Sequence, residues 1–123
     1  DEPVVLEGKF ANLYDAELTV CENPTIAPDS RWLLYDLSRC PDHPWVIAAA
    51  GKVRDEEYGE NSLSVAVEGM AETTCAVRMR VPTEPAEVVA SEGMVEWTWD
   101  GESQTALLRF PNRTEGTRIE VSW

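Results

Sequence analysis

Val95-Glu96-Trp97-Thr98-Trp99-Asp100 and, after an Asp100-Gly101-Glu102-Ser103 turn, Thr105-Ala106-Leu107-Leu108-Arg109-Phe110 are the stretches that decide the fold. In the first, Val95, Trp97 and Trp99 alternate with Glu96, Thr98 and Asp100; in the second, Ala106, Leu108 and Phe110 mark every other position. A break at Pro111-Asn112-Arg113-Thr114-Glu115-Gly116 follows, and then Ile119, Val121 and Trp123 alternate with Arg118, Glu120 and Ser122. A period of two sends successive side chains to opposite faces of a strand. Each run therefore has one apolar face and one polar face. Such strands joined by short turns spell an antiparallel sheet.

Upstream the same rhythm continues. Glu87 to Ala90 reads as a short strand after the Pro82–Pro85 connection. Thr73 to Val81 is another, and Leu63, Val65 and Val67 face inward on the one before it, which ends at Glu68-Gly69. Trp45 to Arg54 is predicted as one strand whose Ala48, Ala49, Ala50 and Gly51 suit a crowded central position. Glu56 to Asn61 is predicted as a turn. The N-terminal third is harder to read. Residues 3–10 suggest a first strand anchored by Val5 and Phe10, and Glu17 to Val20 a second. The Asn23-Pro24 and Ala27-Pro28 steps keep Cys21 to Asp29 extended. Arg31 to Leu37 fits a strand or one short helical turn, and Pro41 to Pro44 a turn. The expected fold is all-β: an antiparallel β-sandwich, immunoglobulin-like or jelly-roll-like, with an irregular N-terminal segment.

With 123 residues the chain is one module, residues 1–123, with enough length for a real core. No apolar run approaches the ~18 residues of a membrane-spanning helix, and no basic-then-apolar leader precedes Asp1-Glu2-Pro3. That beginning suggests a mature N-terminus or a module excised from a larger secreted protein. The net charge of −13, with ten scattered Lys and Arg, argues against nucleic acid and against an anionic membrane as partners. Neutral partners, cationic partners and calcium stay open.

Of the three cysteines, Cys75 is in phase with Val77, Met79 and Val81 and so points to the core as a small apolar residue. Cys21 and Cys40 flank the long N-terminal segment. Paired, they would close a loop of about twenty residues and stabilise by roughly 3 kcal/mol in the chain-entropy model. One histidine and no Cys-x-x-Cys motif argue against zinc. Asp55-Glu56-Glu57, or Asn12 with Asp15 and Glu17, would offer oxygen ligands to a structural calcium or serve as solvated turn carboxylates. No other cofactor is expected. No nucleophile motif or phosphate-binding glycine loop is present, His43 stands in a turn between Asp42 and Pro44, and no catalytic residue is nominated. The Asn112-Arg113-Thr114 sequon is a glycan acceptor only in a eukaryotic secretory pathway.

Aromatic side chains remain. Trp97, Trp99 and Trp123 lie on the apolar phase of their strands and read as core. Tyr14, Trp32, Tyr35, Trp45 and Tyr58 lie where loops display side chains on a scaffold. Trp32 and Tyr35 stand close to Asp29, Arg31 and Asp36. Aromatic surface beside hydrogen-bonding groups suits a neutral polysaccharide, whose ring faces stack and whose hydroxyls seek acceptors. It suits equally the packing of a long loop onto the sandwich.

Gly69-Met-Ala-Glu-Thr-Thr-Cys-Ala-Val-Arg, Val95-Glu-Trp-Thr-Trp-Asp, Thr105-Ala-Leu-Leu-Arg-Phe-Pro-Asn and Glu115-Gly-Thr-Arg-Ile-Glu-Val-Ser-Trp together resemble accessory β-sandwich modules. Such modules, immunoglobulin-like or carbohydrate-binding-module-like, close large secreted bacterial proteins that process polysaccharides. The likeness covers roughly the C-terminal two-thirds and rests on strand and turn pattern. It implies a non-catalytic domain, secreted or at the cell surface, that binds glycan or braces a neighbouring catalytic domain of the same chain.

Overall fold

The computed structural model describes residues 3–13, 18–28, 33–39 and 43–123. In chain order the strands are β1 (Val4–Val5), β2 (Lys9–Asn12), β3 (Val20–Glu22), β4 (Thr25–Ile26), β5 (Leu34–Asp36), β6 (Trp45–Ala49), β7 (Lys52–Tyr58), β8 (Ser62–Glu68), β9 (Thr74–Arg80), β10 (Glu87–Ala90), β11 (Glu96–Asp100), β12 (Thr105–Pro111) and β13 (Thr117–Ser122). Two four-stranded antiparallel sheets make the body, one in the order β11-β12-β9-β6 and the other in the order β10-β13-β8-β7. Their facing sides close on one core. Leu63, Val65 and Val67 come from β8, Cys75, Val77 and Met79 from β9, Ala106, Leu108 and Phe110 from β12, and Ile119 and Val121 from β13. None of these is more than 2% exposed. At about 1.5–3 kcal/mol for each large apolar side chain buried, this alternation is the main force holding the sheets together. The fold is an antiparallel β-sandwich, as its sequence rhythm predicts.

Turn chemistry fixes the registers. Between β11 and β12, the Asp100 carboxylate accepts the Glu102 amide at 3.2 Å and the Ser103 hydroxyl at 2.7 Å, while Gln104 takes the left-handed conformation. Trp97 then falls opposite Leu108 and Trp99 opposite Ala106. Both indoles, with Trp123, are half-buried and pack against the core.

The expected single strand from Trp45 to Arg54 is two. The chain leaves one sheet at Ala49 and enters the other at Lys52, and β6 and β7 are edge strands of their sheets rather than central ones. The run of small residues serves this corner. A Cβ on Gly51 would stand 2.7 Å from the Glu68 carbonyl oxygen and 2.9 Å from Val67 Cγ1, so only glycine passes. The expected turn at Glu56–Asn61 also shortens, because β7 runs on to Tyr58. Asp55, at φ 50°, forms a bulge where the register with β8 slips between Arg54 and Glu57.

Among the described residues, the N-terminal third has strands of two to four residues. The predicted strand over 3–10 splits into β1 and β2, and Val5 is 60% exposed rather than an anchor. β2 lies between β3 and β5, and β1 pairs with β4. Asn23, at φ 47°, turns the chain between β3 and β4 and accepts the Gly8 amide on its side chain at 2.8 Å. Of the stretch from Arg31 to Leu37, residues 31–32 lie outside the described residues, Leu34–Asp36 is strand, and Leu37 opens a 3-10 turn that runs on to Arg39.

This third layer lies over the outer face of β9. Ala76 and Arg78 point away from the core, yet they are only 2% and 6% exposed. Arg78 Nε donates to the Leu18 carbonyl at 2.6 Å and Nη1 donates to the Thr105 hydroxyl at 2.9 Å. Leu18 sits at φ 49°, a conformation costly for a leucine, and its buried side chain helps to offset that cost. Lys9 pairs with Glu102 at 3.4 Å across the same junction.

Asn112 is buried, donates to the Thr73 hydroxyl at 3.0 Å and packs over Gly69, where an added Cβ would collide with its side-chain amide. Thus the sequon asparagine is an interior residue.

Candidate functional site

Because β6 and β7 run in opposite directions from the Ala50–Gly51 corner, the first residue of β6 and the last of β7 finish at one end of the sandwich. Those residues are Trp45 and Tyr58. His43 stands between them, with ring centroids 5.6 Å from Trp45 and 6.5 Å from Tyr58 and interplanar angles of 77° and 88°. Edge-to-face packing of this kind is the preferred arrangement of aromatic rings. Trp45 and Tyr58 remain 36% and 48% exposed, so the cluster is held together by its own contacts while showing apolar surface to water.

Polar groups frame it. The Tyr58 hydroxyl donates to a Glu56 carboxylate oxygen at 3.3 Å. Partial burial, then the Glu56 charge and this hydrogen bond, push the Tyr58 phenol above its ordinary pKa and keep it protonated at neutral pH. Trp45 lies opposite Arg80 in the β6–β9 register. Arg80 Nη2 donates to Gln104 Oε1 at 3.1 Å, and Gln104 Nε2 donates to the Pro82 carbonyl at 3.4 Å. His43, Pro44, Arg80, Pro82 and Gln104 line a pocket of about 160 Å³. Arg80 and Gln104 also belong to the wall of a groove of about 510 Å³ that runs to the N-terminal layer, where Lys9, Leu37 and Ser38 line it. That volume falls within the range usual for small-molecule sites. The end of the sandwich therefore offers exposed aromatic surface on Trp45 and Tyr58, and beside it a pocket and groove that share a positively charged guanidinium and a side-chain amide.

The nominated residues divide. Trp45 and Tyr58 meet in this cluster. Tyr35 and Asp36 lie in β5 of the N-terminal sheet, where Tyr35 is half-buried opposite Ala11. The Asp36 carboxylate accepts the Ser38 hydroxyl at 2.7 Å and amide at 3.0 Å, with Arg39 at 3.9 Å. Those Ser38 hydrogen bonds draw its pKa below the usual carboxylate value. Asp36 thus caps the 3-10 turn. Tyr14, Asp29, Arg31 and Trp32 lie outside the described residues, as does Cys40, the expected partner of the half-buried Cys21.

Sequence reasoning passed over His43, Arg80 and Gln104. His43 and Trp45 are two residues apart, the spacing that puts extended side chains on one face, and this was the available signal. Arg80 carries no such mark, since alternation places it merely on the outer side of β9.

Asp55, Glu56 and Glu57 project from the exposed bulge of β7, and among the described residues no group of three or more His, Cys, Asp or Glu is placed to hold a metal ion. Among the described residues no helix is long and apolar enough to cross a membrane. Comparison with protein-family models, with curated proteins and with solved structures found no match.

Proposed function

We propose that this chain is a non-catalytic carbohydrate-binding module, part of a larger secreted or cell-surface protein, that holds a polysaccharide near a neighbouring catalytic domain. The single observation that carries the reading is the convergence of Trp45, His43 and Tyr58 at one end of the sandwich, with Trp45 and Tyr58 exposed and His43 in the wall of the pocket that Arg80 and Gln104 also line. Aromatic faces bind the apolar faces of pyranose rings, and fixed amide and guanidinium groups bind hydroxyls. Placement on strand ends rather than on a long loop keeps the rings pre-organised, which reduces the entropy lost on binding. Affinity electrophoresis and calorimetry over glucans, xylans, mannans and uronic-acid polymers test the proposal. Trp45→Ala should weaken the preferred ligand by about ten-fold or more, while the unfolding midpoint stays close to that of the wild type. A panel without one retained polymer, or a variant that loses binding only because it unfolds, removes the support.

A second reading is a structural spacer that docks on a catalytic domain and has no ligand of its own. Val4 and Val5 on β1, at 55% and 60% exposed, and Leu33 at 49%, favour it, because apolar side chains displayed on an outer layer suit a protein contact.

A further inference from the structure

We infer that the polymer bound at this end of the sandwich is acidic, built from sugars that carry a carboxylate, and that Arg80 is the residue that reads that carboxylate. The inference rests on the carbohydrate-binding reading and departs from the neutral ligand expected from sequence alone.

Acidic residues outnumber basic ones 23 to 10, so an arginine has carboxylates in abundance to pair with. Arg39, Arg54, Arg113 and Arg118 each lie within 4 Å of one, and Lys9 does too. Arg80 does not: among the described residues its hydrogen-bond partner is the neutral Gln104. It is also only partly exposed, so its charge is less relieved by water than that of a surface side chain. Gln104 holds the guanidinium in place without neutralising it, and Gln104 is itself anchored on the Pro82 carbonyl. The result is a fixed positive fork at the seam between the pocket and the groove, opposite Trp45. The one acid in the groove wall, Glu102, is taken by Lys9.

A guanidinium binds a carboxylate through two parallel N–H···O bonds, stronger and more directional than a bond to a hydroxyl. A pyranose stacked on Trp45 with a carboxylate at its edge would satisfy both groups at once. The net negative charge of the chain does not forbid this. Remote surface charges are screened over about 10 Å at 0.1 M salt, whereas a contact pair in a depression is screened far less.

The test compares a polyuronate with the same polymer after reduction of its carboxyl groups to hydroxymethyl groups, using the wild type, Arg80→Gln and Arg80→Lys, with poly-glutamate as a charged control. The wild type should bind the polyuronate about ten-fold or more tightly than the reduced polymer. Arg80→Gln should abolish that preference, so that it holds the two polymers alike, while its unfolding midpoint stays close to that of the wild type, which shows that the variant is folded. Arg80→Lys, with charge but no fork, should fall between. Equal wild-type affinity for both polymers overturns the acidic assignment and leaves the platform standing. So does an undiminished preference in Arg80→Gln. Poly-glutamate binding as tightly as polyuronate overturns the sugar as the source of the carboxylate. Absence of binding to either polysaccharide overturns both this inference and the reading beneath it.

Discussion

Strands β6 to β13 and strands β1 to β5 draw on the same kinds of residue, yet they stand for different reasons. In the sandwich, strands of four to seven residues turn a continuous apolar face inward, and the core they make is closed to water. In the N-terminal layer, strands of two to four residues bury little by themselves: Ala11, Leu18, Pro24 and Leu37 are its buried apolar side chains among the described residues. Sheets this small are marginal alone. The layer is held instead by what the sandwich extends to it, above all Arg78, whose guanidinium crosses the junction to the Leu18 carbonyl. One region folds by its own pattern. The other is folded onto it.

That contrast can be broken experimentally at several strengths. Phe110→Ala removes the largest fully buried side chain and should cost about 3–5 kcal/mol in chemical denaturation, abolishing both regions together. Arg78→Met keeps the stem but loses the hydrogen bonds to Leu18 and Thr105. It should cost about 2–3 kcal/mol and, more tellingly, expose residues 18–28 and 33–39 to limited proteolysis while amides of β8 and β12 stay protected from exchange. Equal loss of protection in both regions would show a single cooperative unit. Gly69→Ala, which drives a methyl group into Asn112, should cost about 1–3 kcal/mol at the sandwich corner and leave proteolysis of the N-terminal layer unchanged. Lys9→Ala should move stability by less than about 1 kcal/mol, because its ion pair with Glu102 is largely solvated.

Cys75 sharpens the comparison by chemistry. Burial raises its pKa from 9.0 to about 11, so the folded thiol stays protonated where the unfolded one ionises. Its stabilising contribution is complete below pH 9 and is lost as pH rises toward 11. The wild type should therefore lose stability relative to Cys75→Ala across that window, measured by denaturant midpoint. At pH 8 an alkylating reagent should modify Cys75 only at the rate of global unfolding.

How much of this was legible follows the same divide. Leu63, Val65, Val67, Cys75, Val77, Met79 and the residues facing them announced themselves by period two, because a sheet with one buried face leaves that imprint on its sequence. The corner at Ala50–Gly51 did not. A strand that continues and a chain that steps between sheets are both written with small extended residues, and only the approach of Glu68 and Val67 to Gly51 separates them. Arg78 was equally silent, since alternation says that a side chain leaves the core and not that another layer waits for it. As for the site, exposed aromatics were readable as a class. Their assembly around His43 depended on where β6 and β7 end, which is set by the corner and the bulge at Asp55.

The interior position of Asn112 carries a practical consequence for making the protein. The nitrogen to which an N-linked oligosaccharide would be attached is the one that donates to Thr73 within the closed corner between β12 and β13. Glycan and native packing are therefore alternatives at that atom. In a yeast or mammalian export host, whose transferase meets the nascent polypeptide before the sheets come together, the product should divide into a decorated fraction barred from closing and a bare fraction that folds, whereas a host without that transferase should yield the second alone.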